Sequence, residues 1–288
     1  MDTRLRIETA LERALQRTSG PTAPPRIAEA MHYAIFPGGA RVRPRLCLAV
    51  ARACGEDRPE ITDGALAAIE LLHCASLVHD DMPCFDNAAT RRGRPSVHAA
   101  YDEPTALLVG DALIVLAFET VAEASRDMPG RIGPLVTTIA RAVGLPFGIV
   151  AGQAWEAEPN PPLDLYHKAK TGSLFVGAAM AGAISAGSDV APWRLLGLKL
   201  GEAYQVADDL SDAYGSGDTG KPTGQDAAHH RPNAVLALGV NGAVEKLRGL
   251  VYDAVAAIPV VPGADELVAL IKNEATRLVP KELARNAA

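Results

Sequence analysis

The chain has 288 residues, 48% apolar and 22% charged, with 34 acidic against 28 basic side chains and a net charge of −6. That balance excludes wholesale disorder and is ample for a sizeable core, and the absence of a long basic run argues against a nucleic-acid partner. Aromatics are only 5%, so the core is built from small and aliphatic side chains, which favours packed helices over a β-sandwich.

Taken in chain order, apolar residues at helical spacing predict helices over 5–15, 46–53 and 61–79. The third carries Ile61, Leu66, Ile69, Leu72, Ala75 and Leu77 as its apolar set. Residues 105–123 are almost continuously apolar, the pattern of a central core helix. Further helices are predicted over 131–143, 146–155, 163–187, 193–214, 241–258 and 264–277. Breaks fall at Pro and Gly clusters: 18–25, Phe36-Pro37-Gly38-Gly39, 158–162, 215–222 and 259–263. No alternating run rich in Val, Ile and Thr predicts a sheet, and no repeat or low-complexity tail divides the chain. The expectation is one all-α domain over residues 1–288.

The uncharged stretch from Thr171 to Ser188 approaches membrane-spanning length. It is mostly Gly, Ala and Ser, so it reads as a buried helix packed closely through small residues, and no membrane span is expected. The start, Met1-Asp2-Thr3-Arg4, lacks an apolar signal core. Cys47, Cys54, Cys74 and Cys84 form no C-x-x-C pair and read as buried free thiols. Both features fit a reducing, cytoplasmic setting.

Two aspartate clusters carry the chemistry. The first is Asp80-Asp81-Met82-Pro83-Cys84-Phe85-Asp86 and the second Asp208-Asp209-Leu210-Ser211-Asp212. Each lies at or near the end of an apolar helix. A helix sets Asp208 and Asp212 on one face, about 40° apart. Pro83 cannot continue a regular helix, and the bend there can swing Asp86 back towards Asp80. Adjacent carboxylates repel, so a cation must compensate them. Oxygen-only clusters suit Mg²⁺, which keeps waters and bridges to substrate phosphates. Neither cluster has the spacing of a calcium loop.

Cations recur at the loops and helix ends. They are Arg41, Arg43 and Arg45; Arg91-Arg92-Gly93-Arg94; Lys168 and Lys170 before Thr171-Gly172; and Lys221 and Arg231 after the second cluster. Arg offers forked donors for phosphate and Lys a point charge. Carboxylates with these cations in a helical protein describe a site for a Mg²⁺–diphosphate complex. No P-loop or G-x-G-x-x-G motif is present.

At these residues the sequence resembles the trans-isoprenyl diphosphate synthases, or polyprenyl synthetases. It is most like bacterial geranylgeranyl diphosphate synthases of carotenoid pathways. The resemblance spans nearly the whole chain. It rests on D-D-x-x-x-x-D at Asp80 to Asp86, R-R-G at Arg91 to Gly93, G-D-A-L at Gly110 to Leu113 and G-Q at Gly152-Gln153. K-T-G at Lys170 to Gly172, Q-x-x-D-D-x-x-D from Gln205 to Asp212 and G-K at Gly220-Lys221 complete it. It implies an isoprenoid synthase-type helical bundle around a deep central cavity, with the aspartate clusters facing each other at its mouth.

The roles that follow are those the resemblance implies. Asp80 and Asp86, with Asp81 near them, would bind Mg²⁺ from one side. Asp208 would bind it from the other, supported by Asp209 and Asp212, with three ions once substrate is bound. Arg91, Lys170 and Lys221 would hold the allylic diphosphate. Arg43, His73 and Arg92 would hold isopentenyl diphosphate, and Thr171 and Gln205 would flank the reacting carbons. The reaction is ionisation of a C5 to C15 allylic diphosphate, attack by isopentenyl diphosphate and loss of a proton, with geranylgeranyl diphosphate as product. A homodimer is implied as well. Farnesyl diphosphate synthesis and a non-catalytic prenyl synthase subunit are the alternatives.

Three positions depart from the usual pattern. Ala40 stands where the family usually has Lys, Glu156 replaces an Asp, and Arg231 replaces a Lys. Product length in the family depends on bulk before the first aspartate cluster. Here Ala75 and Ser76 leave that level open, which favours C20 over C15. Leu107, Leu108 and Leu116 are candidates for a lower floor.

Overall fold

The computed structural model describes residues 2–36, 38–160, 162–214 and 233–278. Its elements run α1 (Thr3–Gln16), α2 (Pro25–Ile35), α3 (Val42–Ala53), α4 (Pro59–Asp80), β1 (Thr90–Arg91), β2 (Arg94–Pro95), α5 (Val97–Ala100) and α6 (Glu103–Ala124). Then follow α7 (Pro129–Val143), α8 (Ile149–Glu156), α9 (Leu163–His167), a π-helical turn (Lys168–Gly172), α10 (Ser173–Ser185), α11 (Trp193–Tyr214), α12 (Ala234–Ala256) and α13 (Ala264–Leu278). The fold is all-α, as the sequence predicts.

Several starts follow directly from local chemistry. Asp102 accepts the backbone N–H of Thr105 at 2.7 Å, with Pro104 in the first turn of α6. Asn233 caps α12 through the N–H of Val235 at 2.8 Å. Helix α2 is absent from the sequence-based set because Pro24-Pro25 reads as a break. In the structure Pro25 opens the helix, where its missing N–H costs nothing. Helix α12 begins before the predicted 241 and is kinked at Gly239, whose φ of 68° is not helical.

Helix α4 is the hub, packed on α6, α10, α3 and α1. Helix α10 is buried along most of its length, and its small residues allow close approach. A Cβ on Gly182 would lie 2.3 Å from the Cys47 carbonyl oxygen. The expectation of a tightly packed small-residue helix therefore holds. Residues 105–123 differ from theirs. The apolar window of α6 is 50% buried against 78% for α4, and Leu107, Leu108 and Val115 are exposed. Helix α6 is thus apolar on both faces with only one of them in the core. Of the cysteines, Cys47 and Cys74 are buried, and burial pushes the Cys74 thiol up to about 12. Cys84 is exposed, because it sits on the turn after α4 rather than in a helix.

Candidate active site

Helix α4 ends at Asp80, and the next six residues coil into turns. The N–H of Asp86 donates to the carbonyl of Asp80 at 3.0 Å, and that of Ala88 to Asp81 at 3.0 Å. The bend expected at Pro83 therefore does return Asp86 to Asp80. Asp80 and Asp81 are both buried. Arg91 forks onto the Asp81 carboxylate, with Nε 3.0 Å from each oxygen, and stays 3.9 Å from Asp80. One buried oxygen of Asp80, Oδ1, has no hydrogen-bond partner.

Arg91 and Arg92 stand on a two-residue hairpin whose central positions, Arg92 and Gly93, have φ of 54° and 76°. Both values are those a tight primed turn demands; Gly93 takes its own without a Cβ clash, while Arg92 is a non-glycine residue held there. The hairpin is pinned to α2 through its second strand. The Arg94 guanidinium stacks 3.9 Å over the Tyr33 ring and donates to the Tyr33 carbonyl, while the Tyr33 hydroxyl donates to the Pro95 carbonyl at 2.8 Å. Arg94 is thus engaged by Tyr33 and holds the hairpin that carries Arg91 and Arg92.

Arg43 lies on α3 with its guanidinium 4.7 Å from the Phe175 ring and 3.3 Å from His73 Nε2. Its Nε is buried and has no partner. Burial lowers the Arg43 pKa, opposed by Glu70, Tyr204 and Asp208. Burial also pushes His73 well below its ordinary value, and Arg43, Arg92, Arg91 and Arg41 push it further. Neutral His73 accepts from Arg43 at Nε2, so its ring proton is on Nδ1. A folded pKa below the unfolded value of about 6.5 means that the unfolded chain takes the proton first as pH falls. Native stability should accordingly decline below about pH 6.5. His73→Gln should lose less stability than the parent between about pH 7 and pH 5, read from urea midpoints. Equal losses would show that His73 titrates normally.

Three other cations flagged by the sequence are turned elsewhere. Arg41 is buried against Glu8 and Glu70, Arg45 pairs with Glu274 at 2.6 Å, and Lys168 is exposed. Ala40 is exposed.

Lys170 sits in the π-helical turn. Its Nζ donates to Glu156 Oε1 at 2.5 Å and lies 3.8 Å from Asp80 Oδ1. The Tyr166 hydroxyl donates to the same Glu156 oxygen at 2.5 Å. Tyr166 carried no signal in the sequence, since a lone aromatic four residues before Lys170 reads as core. Gly152 of the G-Q pair has a steric reason: a Cβ there would fall 2.4 Å from the Lys170 backbone. Thr171 donates to Gln205 Oε1 at 2.8 Å, which joins the two residues expected to flank the reacting carbons. Asp208 is exposed and Asp212 half-buried, whereas Asp209 is buried and accepts from Gln205 and the Ala234 backbone. Ala75 is buried, Ser76 donates to the His73 carbonyl, and of the three floor candidates only Leu116 faces inward. Lys221 and Arg231 lie outside the described residues.

The donors present fit Mg²⁺. They are oxygen-only, and Asp80 Oδ1 is a buried acceptor awaiting a partner. Among the described residues no three carboxylate, His or Cys side chains already converge into a cage. That suits an ion that completes its shell with substrate phosphate and water. The unpartnered donor at Arg43 Nε fits an anion in the same way.

Comparison with known proteins agrees with this chemistry. The polyprenyl synthetase family profile matches residues 24–256. The chain is 52% identical to geranylgeranyl diphosphate synthase of Cereibacter sphaeroides, covering 97% of each chain. It is 48% identical to geranylgeranyl diphosphate synthase of Rhodobacter capsulatus, covering 95% of each. The structure superposes with a TM-score of 0.78 on geranyltransferase from Helicobacter pylori complexed with magnesium and isoprenyl diphosphate, at 28% identity over 96% of this chain and 97% of that one.

Proposed function

The chain belongs to the polyprenyl synthetase family, and from that premise we infer that it is a geranylgeranyl diphosphate synthase. It condenses isopentenyl diphosphate with allylic diphosphates by ionisation, condensation and elimination. The observation that carries this reading is the pair of buried, unpartnered atoms of opposite demand, an acceptor at Asp80 Oδ1 and a donor at Arg43 Nε.

Asp80, Asp81 and Asp86 would hold Mg²⁺ on one side and Asp208 with Asp212 on the other. When bound, Mg²⁺ neutralises the diphosphate as it departs. Every other part belongs to the chain. Lys170 and Arg91, held by Glu156 and Asp81 and standing 3.8 and 3.9 Å from Asp80, would add positive charge to a leaving diphosphate. Arg43, neutral His73 and Arg92 offer N–H donors to the diphosphate of isopentenyl diphosphate, without Lys at position 40. Apolar helices around them exclude water, which would otherwise capture the allylic cation. The departing diphosphate takes the final proton, so no protein base is required.

A C20 product is supported by the small side chain at Ala75, one turn and a half before Asp80 on α4. Ala75→Tyr should shift the main product from C20 to C15, with some loss of stability because the site is fully buried. An unchanged C20 product would mean that the growing chain does not pass Ala75. A homodimer is supported by the exposed apolar face of α6, where Leu107, Leu108 and Val115 lie along one side. Three Mg²⁺ ions, a cytoplasmic setting and a carotenoid pathway complete the reading.

The test is incubation of purified protein with Mg²⁺, labelled isopentenyl diphosphate and separately C5, C10 and C15 primers, then sizing of the dephosphorylated products. A dominant C20 alcohol is expected. A C15 end point would make it a farnesyl diphosphate synthase, and no condensation would favour a non-catalytic subunit.

A further inference from the structure

Three side chains and one backbone amide form a directional hydrogen-bond line from α11 into the π-helical turn. Asp209 is 2% exposed. One of its oxygens accepts from Gln205 Nε2 at 3.0 Å, the other from the N–H of Ala234 at 2.7 Å. At the far end of Gln205, Oε1 accepts from the Thr171 hydroxyl at 2.8 Å. An ionised carboxylate can only accept, so it decides which end of the Gln205 amide faces it. The amide oxygen is thereby turned to Thr171, and the single hydroxyl proton of Thr171 is committed to it. Thr171 Oγ1 then offers only lone pairs to anything else nearby.

We propose that Asp209 is a positioning residue for the condensation. Through Gln205 it fixes the polarity of the Thr171 hydroxyl, and through Ala234 it anchors the start of α12 to α11. This rests on the synthase reading, in which Thr171 and Gln205 flank carbons that gain positive charge. An oxygen whose proton is turned away stabilises that charge, and a hydroxyl turned round opposes it. The two adjacent aspartates thus divide the work: exposed Asp208 would hold the metal, and buried Asp209 orders the groups behind it.

Asp209→Asn keeps the shape but can donate as well as accept, so Gln205 is released to flip. The expected result is a kcat loss of about ten- to a hundredfold, the kinetic equivalent of one charge-assisted hydrogen bond. Both KM values and the half-saturating Mg²⁺ concentration should stay within about twofold. Adding Thr171→Val should cost no more than the worse single change, because both act on one line. Hydrogen exchange on the full chain should show faster exchange at the Ala234 amide in Asp209→Leu, which removes both acceptors, whereas the Asn carbonyl can still accept from it. If Asp209→Asn does not fold, Gln205→Leu breaks the line while sparing the Asp209–Ala234 bond and carries the same kinetic expectation. A rise of more than about tenfold in half-saturating Mg²⁺, the scale on which metal sites respond to lost support, would overturn the proposal. So would multiplicative losses in the double variant or unchanged exchange at Ala234 in Asp209→Leu. Should the parent protein make no product, the synthase reading fails, and exchange at Ala234 still tests the anchor.

Discussion

Asp80→Asn is expected to cut kcat/KM by about four orders of magnitude, the scale of several kcal/mol of lost metal-linked charge stabilisation. It should do so without lowering the thermal midpoint. The second half of that expectation comes from the hydrogen-bond inventory. Asp80 is buried, its Oδ1 accepts no hydrogen bond, and its nearest cations, Lys170 and Arg91, stand at 3.8 and 3.9 Å. Both cations make their close contacts elsewhere, with Glu156 and Asp81. A buried carboxylate with no donor at hydrogen-bond distance is a liability to the folded state. Asparagine removes the charge and part of that liability.

A ligand measurement separates the two halves. With Mg²⁺ and inorganic diphosphate together, the parent protein should gain thermal stability, since a ligand bound only by the native state shifts unfolding by mass action. Asp80→Asn should lose most of that gain. If the variant instead unfolds earlier and keeps its activity, Asp80 is a structural group and the site has been misassigned. Circular dichroism and the steady-state assay on one preparation decide between them.

The aspartate clusters were legible in the sequence because their spacing is chemistry written locally. The return of Asp86 to Asp80 likewise followed from one proline. Much of the fold was legible for a similar reason, since helices of strong apolar period announce themselves. What was not legible is the direction in which a side chain points once helices pack. Leu107 and Leu116 look alike in a continuously apolar run, yet one is exposed and the other buried. Tyr166 gained its role from Glu156, ten residues away on another helix. Arg94 belongs to a basic cluster but is consumed by Tyr33, a partner 61 residues earlier. Such pairings are set by tertiary packing, which periodicity does not encode.

Arg41 and Arg43 make the same point with the largest consequence for stability. They are two residues apart in one basic motif, and the sequence offers both to phosphate. The chain adopts φ of 50° at Arg41, just before α3 begins, and this turns its side chain inwards. There it donates to Glu8 through two bonds of 3.1 Å, to Glu70 at 2.7 Å and to the Ile35 carbonyl at 2.9 Å. One guanidinium thus joins α1, the end of α2 and α4. Burial alone would lower its pKa, and Glu70 with Glu8 more than reverse that. Arg41→Met should therefore destabilise the protein by about 3–5 kcal/mol, because Glu70 is left buried without its charge partner. The double change Arg41→Met and Glu70→Leu should recover much of that loss, since no lone charge then remains in the core. Urea unfolding measures both, provided the slope is unchanged. The folded fraction of Arg41→Met should retain its KM for isopentenyl diphosphate, in contrast to a change at Arg43. A single-variant loss under about 1 kcal/mol would mean that water or proton uptake relieves Glu70. A raised KM without loss of stability would return Arg41 to the substrate site.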